Sequence, residues 1–272
     1  MKFSCDKYVL QQAAASAARA AAAKSPIPTL EGLLIEAGAS VRITGYDLKK
    51  AIYTTIDADI PEPGSVLIGA RLFCEMLRRM PDGIVTVEAE NGTVSVKCGK
   101  AAFNLVGLSA DDYPDLPTVE AENGVSLPQD LLKKMINECS FAVSTNESRP
   151  VYMGTLFEIE NNVLTMVSVD GYRLALRREA VEGYGDDCSF IVPGTALSDL
   201  ERLCGDSDER VVLSVGSKHI SFTVGNTVIL SRRLEGDFLN YKKAIPESFR
   251  VTVKTARTDL LEVVERVSLI ID

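Results

Sequence analysis

The sequence predicts an α+β fold made of tandem repeated domains, each with two helices packed on antiparallel sheets. Three observations support this. Two stretches of similar length carry the same order of helix, strand and turn signals, and a third copy begins near the C-terminus. Apolar residues follow helical spacing in some segments and alternate in others. Polar and glycine-containing turns separate these segments.

The repeat is visible as matched phrases. The pairs are residues 28–36 with 150–158, residues 45–48 with 171–174, and residues 112–114 with 237–239, at offsets of 122, 126 and 125 positions. The drift between offsets is what loop insertions produce. Repeated modules that stack side by side suit binding around an extended partner better than enclosing one small catalytic pocket.

Each complete repeat contains two predicted helices. In the first, Asp6 caps an alanine-rich helix running to about Lys24, and a second helix spans residues 70–80. In the second repeat the helices span residues 128–141 and 195–204. We expect the apolar stripes to face the core at Leu72, Phe73, Met76, Leu77 and Met80, at Leu131, Leu132, Met135, Ile136 and Cys139, and at Leu197, Leu200 and Leu203.

Strands fill the space between the helices. Alternating segments are residues 41–44, 84–87, 94–96, 103–105, 211–215, 219–222 and 228–230. Asn91-Gly92 predicts a two-residue hairpin, and Gly216-Ser217 a second turn. The predicted domains are residues 1–121, 122–247 and 248–272. The last of these holds only an opening helix, in which Asp259 repeats Asp130, so we expect a truncated third domain.

Composition limits the function classes. The chain lacks a run of about 18 apolar residues and an N-terminal apolar signal segment, so it is expected to be cytoplasmic and not bound to a membrane. Its six cysteines show no C-x-x-C spacing, and it has one histidine. We therefore expect no metal site, no disulfide framework and no cofactor, with Cys74 and Cys139 as buried reduced thiols.

Charge is unevenly distributed between the helices and the rest of the chain. The four complete predicted helices hold nine basic and six acidic residues, a sum of +3, while the whole chain carries −9. Arg71 and Arg78 are seven residues apart and share a helix face. That face is either simply solvated or a sparse positive lining that contacts phosphates without reading bases.

A second candidate surface follows the predicted strand at residues 164–169. Asp170-Gly171 predicts a tight turn, after which Tyr172 and Leu174 flank Arg173. Apolar groups with a cation at the rim are typical of a peptide-docking groove, and residues 238–246 have a similar mixture.

Few residues of the sequence are arranged as catalytic residues usually are. His219 lies in an alternating strand, where a structural role is expected. Asp111-Asp112 and Asp186-Asp187 are adjacent, not facing, pairs and are expected to be turn residues. We predict no catalytic residue, although an acidic hydrolase using scattered aspartates stays open as an alternative; it would require a concave cluster of carboxylates.

The chain as a whole resembles the bacterial DNA polymerase III beta subunit family, the DNA sliding clamps. The specific segments are residues 28–36, 170–175, 190–193, 235–238 and 241–246. The resemblance implies the DNA-clamp fold and a non-catalytic replication processivity factor. In this family two three-domain subunits close into a ring around duplex DNA, with helices lining the hole and sheets facing outward.

The resemblance also implies functional residues. Duplex contacts carry over to Lys24, Arg71, Arg78 and Arg149, with Lys133 added from helix geometry. A pocket for partner peptides carries over to Tyr152, Val169, Gly171, Tyr172, Arg173, Leu174, Leu239, Lys243 and Ala244. Val169 and Leu239 depart from the family's usual threonine and proline. The implied partners are the replicative polymerase, the clamp loader, repair polymerases and mismatch-repair proteins.

A subunit contact carries over as well. Leu269 and Ile270 resemble the apolar pair that meets Phe103 and Leu105 of the partner subunit in the homodimer. Because the third domain is nearly absent, we expect this chain not to close a normal ring by itself. The remaining alternative is a clamp-fold module that binds peptides and never encircles DNA.

Overall fold

The computed structural model describes residues 1–119, 124–182 and 187–271. The predicted boundary at residues 121 and 122, together with Asp186 and the end of the third predicted domain at Asp272, lies outside the described residues. The chain forms two compact units, Met1–Phe238 and a smaller one from Leu239 onward. Within the first unit, residues 1–119 are called the first repeat and residues 124–238 the second repeat.

The first repeat contains two α-helices and nine strands. The helices are α1 (Lys7–Ala18) and α2 (Ala70–Arg79). The strands are β1 (Lys2–Asp6), β2 (Gly32–Ala37), β3 (Val41–Tyr46), β4 (Lys50–Ile56), β5 (Asp59–Glu62), β6 (Gly64–Gly69), β7 (Ile84–Glu90), β8 (Thr93–Cys98) and β9 (Ala101–Leu108).

The second repeat follows the same plan. Its helices are α3 (Gln129–Ser140) and α4 (Gly194–Leu203). Its strands are β10 (Gly124–Pro128), β11 (Gly154–Glu160), β12 (Val163–Val169), β13 (Leu174–Ala180), β14 (Cys188–Pro193), β15 (Arg210–Val215), β16 (His219–Val224) and β17 (Thr227–Arg232). The matched phrases fall on equivalent structure: 3₁₀ turns at Pro28–Glu31 and Pro150–Met153 lead into β2 and β11.

Each repeat has its own core between helices and sheet. In the first, Phe3, Phe73 and Leu77 are fully buried against the alanine face of α1. In the second, Phe157 stacks on Phe190 with ring centroids 5.5 Å apart. The predicted pattern of two helices on antiparallel strands is therefore confirmed in both repeats.

The two repeats share one sheet. Strand β4 pairs antiparallel with β17, so the strand order runs β10-β15-β16-β17-β4-β3-β2-β6-β9-β8-β7-β1-β5. At this seam the hydroxyls of Thr54 and Thr227 are buried and lie 2.9 Å apart. The strands β13-β12-β11-β14 form a second sheet. The backbone pairing fixes the second repeat against the first.

Several sequence predictions are confirmed closely. Asp6 accepts hydrogen bonds from the backbone N–H of Tyr8 and Val9, as an N-cap does. Asn91 and Gly92 both have positive φ, 51° and 76°, as the predicted hairpin turn requires. Cys139 is buried as predicted, and burial raises the pKa of its thiol to about 11. Cys74, predicted to be buried as well, is only partly buried, and its pKa is also raised to about 11.

Two predictions about the helices of the first repeat are wrong. Helix α1 ends at Ala18 and does not reach Lys24, because the N–H groups of the next residues bond three positions back, as from Ala20 to Ala17. Leu72 is 60% exposed and not part of the core stripe. Its neighbours Phe73 and Met76 already fill the inward face of α2, and Leu72 lies beside it.

The described part of the smaller unit contains two helices. They are α5 (Tyr241–Ala244) and α6 (Arg257–Ser268). Helix α6 lies where the opening helix of a third repeat is predicted. Leu260, Leu261 and Val264 on this helix are exposed.

Candidate functional site

The first group of candidate residues is the set of predicted DNA-facing cations near α2. Arg71 is 94% exposed, and its Nε lies 3.9 Å from Glu75 Oε1, a loose pair one turn along the helix. Arg78 and Arg79 are exposed and form no ion pair with a described carboxylate. Lys24 is exposed too, in the turn that follows α1. The side chains near α2 therefore carry accessible positive charge.

Lys133 on α3 differs from these cations because it already has a partner. Its Nζ lies 2.7 Å from Asp206 Oδ1, and this hydrogen bond raises the pKa of the Lys133 ammonium. The next residue, Lys134, is exposed and unpaired among the described residues. The predicted DNA contact at Lys133 therefore competes with Asp206, and Lys134, which was not among the predicted contacts, is the more accessible cation.

Arg149 lies at the entry to the second 3₁₀ turn. Its side chain is exposed, and its backbone is fixed: Arg149 N–H donates to the Asn146 carbonyl at 3.3 Å, and the Arg149 carbonyl accepts from Tyr152 N–H at 3.0 Å. A rigid backbone below a free guanidinium suits contact with a phosphate.

Helix α4 is net negative, and the four long helices together carry one positive charge less than predicted, because α1 excludes Asp6, Arg19 and Lys24. With the observed boundaries, α4 carries Asp199, Glu201 and Arg202, a net charge of −1, and the four long helices of the first unit sum to +2. Asp199 is buried and forms ion pairs with Lys50 and, at 4.0 Å, with Arg19. This buried carboxylate joins the two repeats and was not predicted from the sequence.

The second group of candidate residues lines the turn between β12 and β13. Asp170 Oδ1 accepts the N–H of Tyr172 at 3.0 Å and of Arg173 at 3.1 Å, and Asp170 Oδ2 accepts Arg173 Nε at 2.8 Å. The hydrogen bonds from Tyr172 and Arg173 lower the pKa of Asp170 below its usual value. Gly171 has φ of 96°, which an L side chain rarely adopts. The predicted tight turn is confirmed.

The turn presents apolar and cationic groups side by side. Tyr172 is 99% exposed, and the Arg173 guanidinium lies 5.5 Å from the centroid of the Phe141 ring. Val169 and Leu174 are opposite each other where β12 and β13 begin to pair. Tyr152, another candidate residue, meets Phe238 edge to face, with ring centroids 5.5 Å apart.

The same turn occurs in the first repeat, at a register the sequence did not indicate. Asp47 Oδ1 accepts the N–H of Lys49 at 2.9 Å and of Lys50 at 2.7 Å, and Leu48 has φ of 70°. Asp47 therefore corresponds to Asp170 at an offset of 123, and the offset of 126 predicted from the Gly-Tyr phrase is wrong. We call Asp47–Lys50 the first Asp turn and Asp170–Arg173 the second Asp turn.

The remaining predicted pocket residues belong to the smaller unit. Leu239 precedes α5, and Lys243 and Ala244 form its last two residues. All three are exposed within that unit. In the same unit, Leu269 and Ile270 follow α6 and are each 84% exposed.

The candidate subunit contact in the first repeat lies on an open strand edge. Strand β9 pairs with β8 along its length, but with β6 only at Gly107 and Leu108, so the other edge at residues 101–106 has no pairing strand among the described residues. Phe103 is exposed and Leu105 half-buried on this strand. An apolar strand with a free edge is a surface that another chain can cover.

The described residues contain neither a metal-binding cluster nor a membrane-spanning helix. No three or more His, Cys, Asp or Glu side chains there lie close enough to hold a metal ion. Nor does that part of the chain contain a helix with the length and apolar character needed to span a membrane.

Comparison with known proteins gives consistent matches. The family model described as DNA polymerase III beta subunit, N-terminal domain, matches residues 1–117, and the one for the central domain matches residues 126–240. The beta sliding clamp of Bacillus subtilis (strain 168) is 32% identical over 99% of this chain and 74% of its own length.

Solved structures match as well. The DNA polymerase sliding clamp from Bacillus subtilis superimposes with a TM-score of 0.96 at 31% identity, over 100% of this chain and 74% of the other. A sliding clamp from Pseudomonas aeruginosa, bound to griselimycin, gives a TM-score of 0.93 at 26% identity, over 99% of this chain and 74% of the other.

Proposed function

The chain belongs to the DNA polymerase III beta subunit family, and we propose that it is a sliding clamp that encircles duplex DNA and tethers the replicative polymerase. The observation that carries this is similarity to beta sliding clamps along nearly the whole chain. The role is processivity, not catalysis.

The proposed DNA contacts are electrostatic and independent of sequence. They come from Lys24, Arg71, Arg78, Lys133 and Arg149, to which the structure adds Lys134 as a more accessible cation than its neighbour. Few, separated cations hold phosphates weakly. Weak contacts suffice when the attachment is topological, and they allow the protein to move along the duplex.

Replacing Arg71 and Arg78 by Glu tests the proposed DNA contact. We expect the fraction of protein loaded onto nicked circular DNA by a clamp loader to fall about tenfold, because two phosphate contacts become repulsive. The matched control replaces exposed Lys97 and Lys100, in β8 and the turn after it, by Glu and so changes the net charge equally. Equal loading of the two variants would exclude α2 from the DNA-facing surface.

The proposed docking site for partner proteins includes the second Asp turn. Its proposed contacts in the first unit are Tyr152, Val169, Gly171, Tyr172, Arg173 and Leu174. Leu239, Lys243 and Ala244 of the smaller unit stay predicted peptide contacts on the resemblance alone. Short apolar peptides of the polymerase, the clamp loader, repair polymerases and mismatch-repair proteins are the proposed ligands. The exposed Tyr172 ring and the Arg173 guanidinium over Phe141 support a site for apolar side chains with a polar rim.

The proposed assembly of full-length subunits is a homodimeric ring. The open edge of β9, with Phe103 and Leu105, supports one side of the subunit contact, and the exposed Leu269 and Ile270 support the other. Covering the apolar residues and pairing the strand edge would both favour association.

A further inference from the structure

A cavity at the seam between the two repeats has no role in the function described so far. It has a volume of about 670 Å³, within the range of roughly 300–1,000 Å³ that is typical of ligand sites. The first Asp turn contributes Asp47, Lys49 and Lys50 to its lining, and the end of β17 with the following residues contributes Ser231 to Glu235. We call it the seam cavity.

The seam cavity has a fixed backbone frame. Lys50 pairs with Ser231 across the seam, and Arg232 N–H donates to the Lys49 carbonyl at 2.9 Å. Arg233 donates to the carbonyls of Gly216, Ser217 and Ser189 at 3.1–3.2 Å. Because these bonds hold both walls, the cavity exists before any ligand arrives, which reduces the ordering cost of binding.

The lining of the cavity combines apolar and cationic residues. Pro150, Met153, Pro193 and Leu234 contribute apolar surface, and half-buried Met153 is the most adaptable of them. Exposed Pro150 and Thr195 open the cavity to solvent.

The cations at the cavity are not all available to a ligand. Lys50 is paired with Asp199, Arg233 is committed to three carbonyls, and Arg232, 58% exposed, lies 3.0 Å from Glu235. Lys49 is exposed and has no ion-pair partner among the described residues. The residues that line the cavity include four cations and two carboxylates, Asp47 and Glu235. The lining is therefore net positive, although the whole chain has a net charge of −9.

We propose that the seam cavity is a second docking site, which takes a linear peptide segment of a partner protein carrying a bulky apolar side chain beside a carboxylate. The apolar side chain fills the space around Met153, and the carboxylate pairs with Lys49. The first Asp turn supports this, because its hydrogen bonds and left-handed residue match those of the second Asp turn, which lies at the proposed peptide pocket.

The test follows the Met153 methyl group by NMR in protein labelled with ¹³C-methyl methionine, assigned by loss of its signal in Met153→Leu. The probe is the synthetic peptide acetyl-Gly-Ser-Asp-Leu-Phe-Asp-Ser-Gly-amide. We expect the Met153 signal to shift in a saturable way. Two matched peptides, one with both Asp replaced by Lys and one with Leu-Phe replaced by Ala-Ala, should leave it unmoved. An unmoved Met153 signal at about 1 mM acidic peptide, the weak limit of specific binding, would overturn the proposal.

Variants then locate the binding site. Lys49→Glu should weaken the affinity about tenfold, whereas Lys97→Glu, with the same charge change on β8, should leave it unaltered. Equal affinities of these two variants would overturn the proposal. The double variant Arg173→Ala and Leu174→Ala should keep the Met153 shift, and loss of the shift there would assign the peptide to the second Asp turn instead. These titrations contain no DNA. Their result is therefore independent of whether the protein works as a clamp.

Discussion

The two Asp turns show at the scale of single residues how far the sequence could be interpreted. Gly171 indicated the second turn because glycine adopts positive φ freely. Leu48 gave no such signal, since a leucine with φ of 70° is uncommon. The first turn was therefore found only in the structure, where Asp47 makes the same pair of backbone hydrogen bonds as Asp170.

The backbone strain at Leu48 can be tested directly. We expect Leu48→Asn to raise the free energy of unfolding by about 0.5–1 kcal/mol, because asparagine tolerates the left-handed conformation better and the side chain is exposed. The reciprocal control, Gly171→Leu in the equivalent turn, should lower it by about 1–2 kcal/mol. Urea unfolding measures both, and stabilisation by both substitutions would contradict the assigned conformations.

The single histidine gives a clean test of electrostatics at β16. Burial lowers the pKa of His219, and the neighbouring cations Arg232 and Lys218 lower it further. We expect its ring proton resonance to titrate with a midpoint below 6.5, and Arg232→Gln to raise this midpoint in part. Arg202→Gln, an exposed change on α4, is the control. A midpoint at or above 6.5 would contradict the environment described.

The lowered pKa of His219 also determines how the stability of the protein changes with pH. Below about pH 6.5 the unfolded chain takes up a proton on His219 that the folded chain still excludes. The unfolded state then binds more protons, so the contribution of His219 to stability is present above pH 6.5. It is lost as the pH falls through the lower folded pKa.

At the scale of elements, helices and strands were predictable where periodicity was strong, and their ends were not. Helix α2 and the 91–92 hairpin lie where the sequence indicated, because an amphipathic stripe and Asn-Gly are local signals. The end of α1 depends on tertiary packing. A β-carbon on Gly45 of β3 would lie 2.0 Å from the Ala17 carbonyl, so helix and strand are in contact where α1 stops.

The ion pair between α4 and β4 is an element-scale contact that sequence could not reveal, since its partners are far apart in the chain. Asp199 is buried beside Lys50, whose side chain is 15% exposed, so Asp199→Ala should lower the free energy of unfolding by about 3 kcal/mol because it leaves this ammonium unpaired. The double variant Asp199→Leu with Lys50→Met should recover most of this loss. Urea unfolding of the set is the measurement, and a neutral Asp199→Ala variant would show that the pair is not structural.

At the scale of the whole molecule, the sequence predicted the repeated architecture but not how the repeats join. Pairing of β4 with β17 depends on strands about 175 positions apart, such as Thr54 and Thr227, and neither strand carries a signal for its partner. The predicted excess of positive charge on the helices is present in part. Arg78, Arg79 and Lys134 are accessible cations on helices, whereas Arg19 and Lys24, counted with the first predicted helix, lie beyond the end of α1.

Retention of the protein on circular and linear DNA tests the central claim most directly. The full-length protein is loaded onto nicked circular plasmid by a clamp loader and isolated by gel filtration at about 0.2 M salt, where simple phosphate contacts weaken strongly. The complex is then treated with a restriction endonuclease that cuts once. If the protein encircles DNA, it should stay with the intact circle and be lost when the circle is opened. Equal retention on circular and linear DNA, or none on either, would contradict it.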